Sequence, residues 1–99
     1  MSVEKMSTQE IEDKLATVPG WTLQDEKLHR ELKFQNFVEA VGFMAQAAII
    51  AEKMSHHPEW SNVYSQVVID LTTHDVDGIS QLDFELAQKM NAAAAKMGL

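Results

Sequence analysis

The sequence predicts an antiparallel α+β fold in the order helix, two strands, helix, extended region, helix. Three observations carry that expectation. Apolar residues recur at helical spacing in three stretches, and between them the period drops to two. The strand-like segments are grouped between helices and joined by short turns, the signature of an antiparallel sheet with helices packed against it. A length of 99 residues suits one domain with one core.

The first helix begins at a capping box, Ser7 with Glu10, and carries Ile11, Leu15 and Val18 before Pro19-Gly20 stops it. From Trp21 to Phe34 the pattern alternates, with Leu28, Leu32 and Phe34 apolar among Lys, Arg and Glu. Asp25-Glu26 is the expected hairpin turn, although its turn chemistry is weak.

Asn36 with Glu39 starts a second helix expected to run to about Ser55, where Pro58 forces the chain out of helical geometry. One stripe of this helix holds Phe37, Val41, Met44, Ala48 and Ala51; another holds Phe43, Ala47, Ile50 and Met54. A helix apolar around so much of its circumference is buried on more than one side. The second stripe is therefore expected to meet another subunit, giving a homo-oligomer through the 36–55 helix.

Residues Trp60 to Thr73 read as extended, with Val67, Ile69 and Leu71 on one face and Val68, Asp70 and Thr72 on the other. Asp75-Val76-Asp77-Gly78 has turn chemistry. Ser80 with Asp83 caps a last helix carried by Ile79, Leu82, Leu86, Met90 and Met97. With no repeat, low-complexity tract or Pro/Ser-rich linker, residues 1–99 read as one domain. A chain of this size buries roughly 65% of its unfolded surface. That leaves a small stability margin, which association would widen.

Composition narrows the function. Hydrophobic residues make up 45% of the chain, which argues against disorder. The net charge is -7, and no cluster of Lys and Arg offers a footprint for nucleic acid or an anionic membrane. There is no cysteine, which removes disulfides, thiolate metal sites and a cysteine nucleophile. The stretch Val38 to Ala51 is broken by Glu39, Gly42 and Gln46 and is too short to span a bilayer. The polar N-terminus lacks a signal core, so the expected location is cytoplasmic, with a nuclear pool also allowed.

Three of the four histidines stand at element ends, where sites form on rigid scaffolds: His56 and His57 after the long helix, His74 after the last strand. Histidine exchanges protons near neutrality, so these three are the candidate catalytic residues. His29 lies on a charged strand face and reads as solvated. Glu52, four residues before His56, would share its helix face and favour the imidazolium, making His56 the acid and His57 or His74 the base. Trp60 and Tyr64 offer a flat wall for a planar ligand, or simply pack in the sheet. The spacing matches neither HExxH nor a Cys/His finger, and adjacent histidines on one turn diverge, so no metal site is expected.

The arrangement of Glu52, His56-His57-Pro58, Tyr64, His74 and Asp83, with Trp60 and the Leu71-Thr72-Thr73-His74-Asp75 run, resembles the pterin-4a-carbinolamine dehydratases. The resemblance covers roughly Trp21 to the C-terminus and extends outward through Phe37 and Gly42-Phe43-Met44. It implies an α-β-β-α-β-β-α fold, with a four-stranded antiparallel sheet and three helices packed on one face. The extended region is then split by a turn near Tyr64 to Gln66. It also implies dimers or tetramers built with the long helix. The implied reaction is loss of water from 4a-hydroxytetrahydropterin to give quinonoid dihydropterin, recycling the cofactor of aromatic amino acid hydroxylases. No cofactor is implied, the pterin being the substrate. Carried over by position, His56, His57, Pro58, Trp60, Thr73, His74, Asp75 and Val76 line the pterin site, while Glu52 and Asp83 orient the histidines. Some members of the family also serve as dimerisation cofactors of a homeodomain transcription factor. That implies an alternative role as a transcriptional scaffold acting through the long-helix face.

Overall fold

A computed structural model describes residues 3–99. Helix α1, Thr8–Lys14, starts at the expected box: Ser7 Oγ accepts from the Glu10 amide at 3.1 Å, and the Ser7 amide donates to Glu10 at 2.9 Å. A 3₁₀ turn, Leu15–Thr17, completes it. Gly20 then takes a left-handed φ of 88°, a backbone conformation that favours glycine; a Cβ there would also lie 2.9 Å from the Arg30 guanidinium, which would have to shift.

Strands β1 (Thr22–Gln24) and β2 (Lys27–Lys33) form the expected hairpin. Its two turn residues, Asp25 and Glu26, both have positive φ, 50° and 61°. Left-handed geometry at both central positions matches the twist of the flanking strands, which is why the turn forms here without glycine. Helix α2, Phe37–Met54, begins where Asn36 Oδ1 accepts from the Glu39 amide at 2.9 Å. The following extended region divides into β3 (Glu59–Val63) and β4 (Gln66–Leu71). Tyr64 and Ser65 are the turn between them, Tyr64 at a φ of 51°. Helix α3, Gln81–Lys96, closes the fold behind the Ser80–Asp83 box. The sheet order is β1-β2-β4-β3, antiparallel throughout, with the three helices packed on one face.

Alternation decides which face is covered. Leu28, Leu32, Val67, Ile69 and Leu71 point toward the helices and are buried. They meet Phe43, Ala47 and Ala51 of α2 and Phe84, Leu86 and Met90 of α3. Phe34 and Phe43 stack with ring centroids 5.3 Å apart. Among the described residues no helix is long and apolar enough to cross a membrane.

The long helix corrects one expectation. Phe43 and Ala47, expected to meet another subunit, are fully buried in this chain's own core, and Ile50 and Met54 pack at its edge. The apolar side turned outward holds Phe37, Val38, Val41 and Ile49 instead. Helical periodicity identifies stripes but not which of two stripes faces the sheet; the inner one is set by the position of β4 and α3.

The open face of the sheet corrects another. His29 is largely covered: its Nδ1 lies 2.8 Å from Asp70 and its Nε2 lies 3.0 Å from Glu31. Carboxylates at both ring nitrogens, Glu31 first and then Asp70, raise its pKa above the ordinary 6.5. Register explains the pairing, since His29 stands opposite Asp70 on β4.

Candidate functional site

The site is built where α2 ends, β4 ends and α3 begins. Helix α2 stops three residues before Pro58, at Ser55, whose φ of 52° and ψ of 37° are left-handed. The Ser55 amide donates to Glu52 O at 3.1 Å and the His56 amide to Ala51 O at 3.1 Å. This paired closure is the Schellman motif. It turns the chain back across the helix end, so His56 leaves the face that carries Glu52 and enters the protein, where only 8% of it is exposed.

There His56 meets Asp83, not Glu52, with its Nε2 2.6 Å from Asp83 Oδ1. The other carboxylate oxygen, Oδ2, accepts from Thr73 Oγ1 at 2.8 Å and from the Ser80 amide at 2.9 Å. Ser80 Oγ lies 2.7 Å from Thr73 Oγ1 and accepts from the Leu82 amide. Thr73, Ser80 and Asp83 are all buried. A carboxylate only accepts, so the Thr73 proton goes to Asp83 and the Ser80 hydroxyl donates to Thr73. Likewise His56 carries its proton on Nε2. Every buried side-chain nitrogen and oxygen among the described residues has a partner. The same aspartate thus caps α3 and holds a histidine.

Glu52 pairs with the next residue, His57, at 2.8 Å from Nε2. Both side chains are exposed, 64% for His57 and 80% for Glu52. The expected Glu52–His56 pair is therefore replaced by Glu52–His57, because the left-handed turn at Ser55 breaks the i,i+4 relation.

His74 opens a 3₁₀ turn, His74–Val76, held closed by backbone bonds between Thr73 and Gly78. Its Nε2 lies 3.1 Å from Glu59 Oε2, and the second Glu59 oxygen is 2.5 Å from Lys27 Nζ. The Lys27 ammonium holds the Glu59 carboxyl below the ordinary carboxylate range. Glu59 was absent from the expected set. Its signal lay in strand alternation, which places Glu59, Asp70, His29 and Lys27 on one sheet face, but only the register makes that visible.

All three histidines border one cleft of about 370 Å³, together with Pro58, Thr73 and Asp75. Ser55, Glu59, Thr72 and Leu82 complete its walls. Trp60 packs instead against the core, and Val76 lies on the turn without facing the cleft. A larger hollow of about 660 Å³ lies between the N-terminal segment, α1 and α3, but it contains no histidine. Among the described residues no three His, Asp or Glu side chains converge as metal ligands do. What the cleft offers chemically is three imidazoles, each tied through Nε2 to its own carboxylate: Asp83, Glu52 and Glu59.

Comparison with known proteins agrees in sequence and in shape. The family model for pterin 4 alpha carbinolamine dehydratase matches residues 4–93. A relative from Rhizobium leguminosarum bv. trifolii, provisionally named a pterin-4-alpha-carbinolamine dehydratase, is 50% identical over 101 residues, covering 100% of both chains. One from Prochlorococcus marinus (strain MIT 9303), with the same provisional name, is 50% identical over 91 residues, 92% of this chain and 95% of its own. The crystal structure of a transcriptional coactivator/pterin dehydratase from Brucella melitensis superposes with a TM-score of 0.89 at 44% identity, covering 91% of this chain and 98% of that one. The chain belongs to the pterin 4 alpha carbinolamine dehydratase family.

Proposed function

We propose that this chain dehydrates 4a-hydroxytetrahydropterin to quinonoid dihydropterin by general acid–base catalysis, with His56, His57 and His74 as the proton-transfer groups. The observation that carries this reading is the set of three carboxylate-anchored imidazoles around one cleft. In the reaction the C4a–O bond breaks as the hydroxyl takes a proton and leaves as water. The N5 lone pair forms the C4a=N5 double bond, and the N5 proton passes to a base. Neither an electron acceptor nor a Lewis acid is needed, because N5 itself drives the departure, so the pterin is substrate and no cofactor is invoked. Positioned acid–base groups supply about 10²- to 10⁴-fold, or roughly 3 to 5 kcal/mol of barrier. Pro58, Thr73 and Asp75 would shape the pterin's seat.

The test is stopped-flow decay of the 4a-carbinolamine with and without protein, repeated with single His→Ala variants. Acceleration by wild type, reduced in all three variants, is the expected result. No acceleration by wild type overturns the proposal.

A second reading concerns assembly. The outward apolar side of α2, with Phe37 at 52% and Val38 at 77% exposure, supports a homo-oligomer formed through this helix. The same face is where a transcription-factor dimerisation domain would dock if the chain also served as a coactivator, the word borne by the Brucella melitensis structure. A scaffold alone has no use for the carboxylate-anchored histidines, so the enzymatic reading takes precedence.

A further inference from the structure

We infer that Glu59 and Lys27 are positioning residues that set the tautomer of His74, leaving its Nδ1 as the proton-accepting atom toward the pterin. The inference rests on the dehydratase reading and extends it to two residues outside the His-His-Pro constellation.

The geometry is a three-membered chain running across the open sheet face into the cleft. Glu59 is the first residue of β3 and borders the cleft. Its Oε2 meets His74 Nε2 at 3.1 Å, and its Oε1 meets Lys27 Nζ at 2.5 Å. Lys27, the first residue of β2, reaches over the intervening strand β4 to do this.

An ammonium has donors only, and a carboxylate has acceptors only. With Lys27 on one oxygen, Glu59 stays ionised, consistent with the lowering that the Lys27 hydrogen bond gives its pKa. The other oxygen must then accept from His74, which places the proton of neutral His74 on Nε2. The ring's lone pair is left on Nδ1. His74 needs this more than His56 does, because its side chain is 79% exposed and no buried network locks it. The proton-accepting atom of His74 is therefore chosen by the Glu59 carboxylate, acting through the ring from its far nitrogen.

The consequence is a test that separates charge from direction. In Glu59→Gln, Lys27 still needs an acceptor and draws the amide oxygen to itself. The amide NH₂ then faces His74 Nε2 and can only donate, which favours the opposite tautomer, with the proton on Nδ1. Removing the lysine as well frees the amide to rotate and present its oxygen to His74. The double variant Lys27→Met/Glu59→Gln should thus work better than Glu59→Gln alone, the reverse of what additive damage gives.

The experiment measures kcat and KM for carbinolamine dehydration in wild type, Glu59→Gln and the double variant, together with ¹⁵N spectra of His74 at a pH where it is neutral. Glu59→Gln is expected to lose about 10-fold in kcat, a part of the roughly 10²- to 10⁴-fold that acid–base groups supply, because the imidazole remains and only its tautomer is disfavoured, with KM little changed. The double variant is expected to recover a measurable part of it. The spectra should show a protonated Nε2 in wild type and a shift toward protonated Nδ1 in Glu59→Gln. A wild-type His74 protonated on Nδ1 overturns the inference, as does a double variant no better than Glu59→Gln. The spectra read the tautomer without turnover, so an inactive wild type with protonated Nε2 would count against the dehydratase reading and leave the tautomer assignment standing.

Discussion

Thr73→Val is the sharpest probe of the buried network, because one hydroxyl there serves two neighbours. Thr73 donates to Asp83 Oδ2 at 2.8 Å and lies 2.7 Å from the Ser80 hydroxyl, all three residues being buried. Valine keeps the shape but removes both roles. The lost bond to a carboxylate is worth about 1.5 to 3 kcal/mol, and a buried hydroxyl left without its acceptor costs about 1 to 3 kcal/mol. The expected loss is therefore about 3 kcal/mol, a large part of the 5 to 15 kcal/mol typical of a domain. Ser80→Ala should cost about 2 kcal/mol, combining its cap and its bond to Thr73. In the double variant the stranded hydroxyl no longer exists, so the total should fall about 1 kcal/mol short of the sum. Urea unfolding followed by circular dichroism measures all four corners of this cycle. Additivity within about 0.3 kcal/mol would refute the shared-hydroxyl reasoning. Thr73→Ser, which retains the hydroxyl, serves as the control and should stay within about 1 kcal/mol of wild type.

Other predictions are independent of this network. His29 has a folded pKa raised above 6.5 by Glu31 and Asp70, so the folded state holds more protons than the unfolded one once pH passes about 6.5. Its stabilisation is therefore full below that pH and is lost as pH rises through the folded value; urea midpoints across this window should fall more steeply in wild type than in His29→Gln, and equal slopes would discount the pairing. Glu26→Gly relieves a left-handed glutamate at φ 61° and should raise stability by about 0.5 to 1 kcal/mol in thermal melts, the relief of strain exceeding glycine's added chain entropy. Ile49→Glu places charge on the outward side of α2 and should shift sedimentation toward monomer with the circular dichroism spectrum retained; a wild type already monomeric at tens of micromolar would discount assembly through this face. Phe43→Ala, by contrast, empties the core and should cost about 3 to 5 kcal/mol.

Much of the fold was legible because local signals and tertiary demands agree. Ser7, Asn36 and Ser80 announce three helix starts, and each caps its helix in the fold. The alternation of Val67, Ile69 and Leu71 placed the core side of β4. The break at Tyr64-Ser65 was invisible to periodicity, since both strands continue the same extended pattern and the turn contains no glycine. Only resemblance to the dehydratases located it. The candidate site divides similarly. The three histidines could be picked out by position, but their carboxylates could not all be assigned. Helical spacing matched Glu52 to His56, and a left-handed serine redirected it to His57. Glu59 depends on strand register, a non-local quantity. The role of Asp83 as an orienting group came from the resemblance, whereas its bonds to Thr73 and Ser80 follow from the fold alone.

The turn at Ser55 has one more implication. Two identical side chains, adjacent in sequence, are sorted by it into unlike surroundings: His56 at 8% exposure inside a closed hydrogen-bond chain, His57 at the water's edge. Their chemical identities are consequently addresses counted from the helix end. Deleting Ser55 would advance the count by one, delivering His57 to the inner berth and Pro58 to the outer one. A proline there has no imidazole for Glu52 to hold. The spacing between helix end and histidine pair is thus as much a part of the site as the rings themselves, and a frame slip of one residue would disable it with every histidine still present.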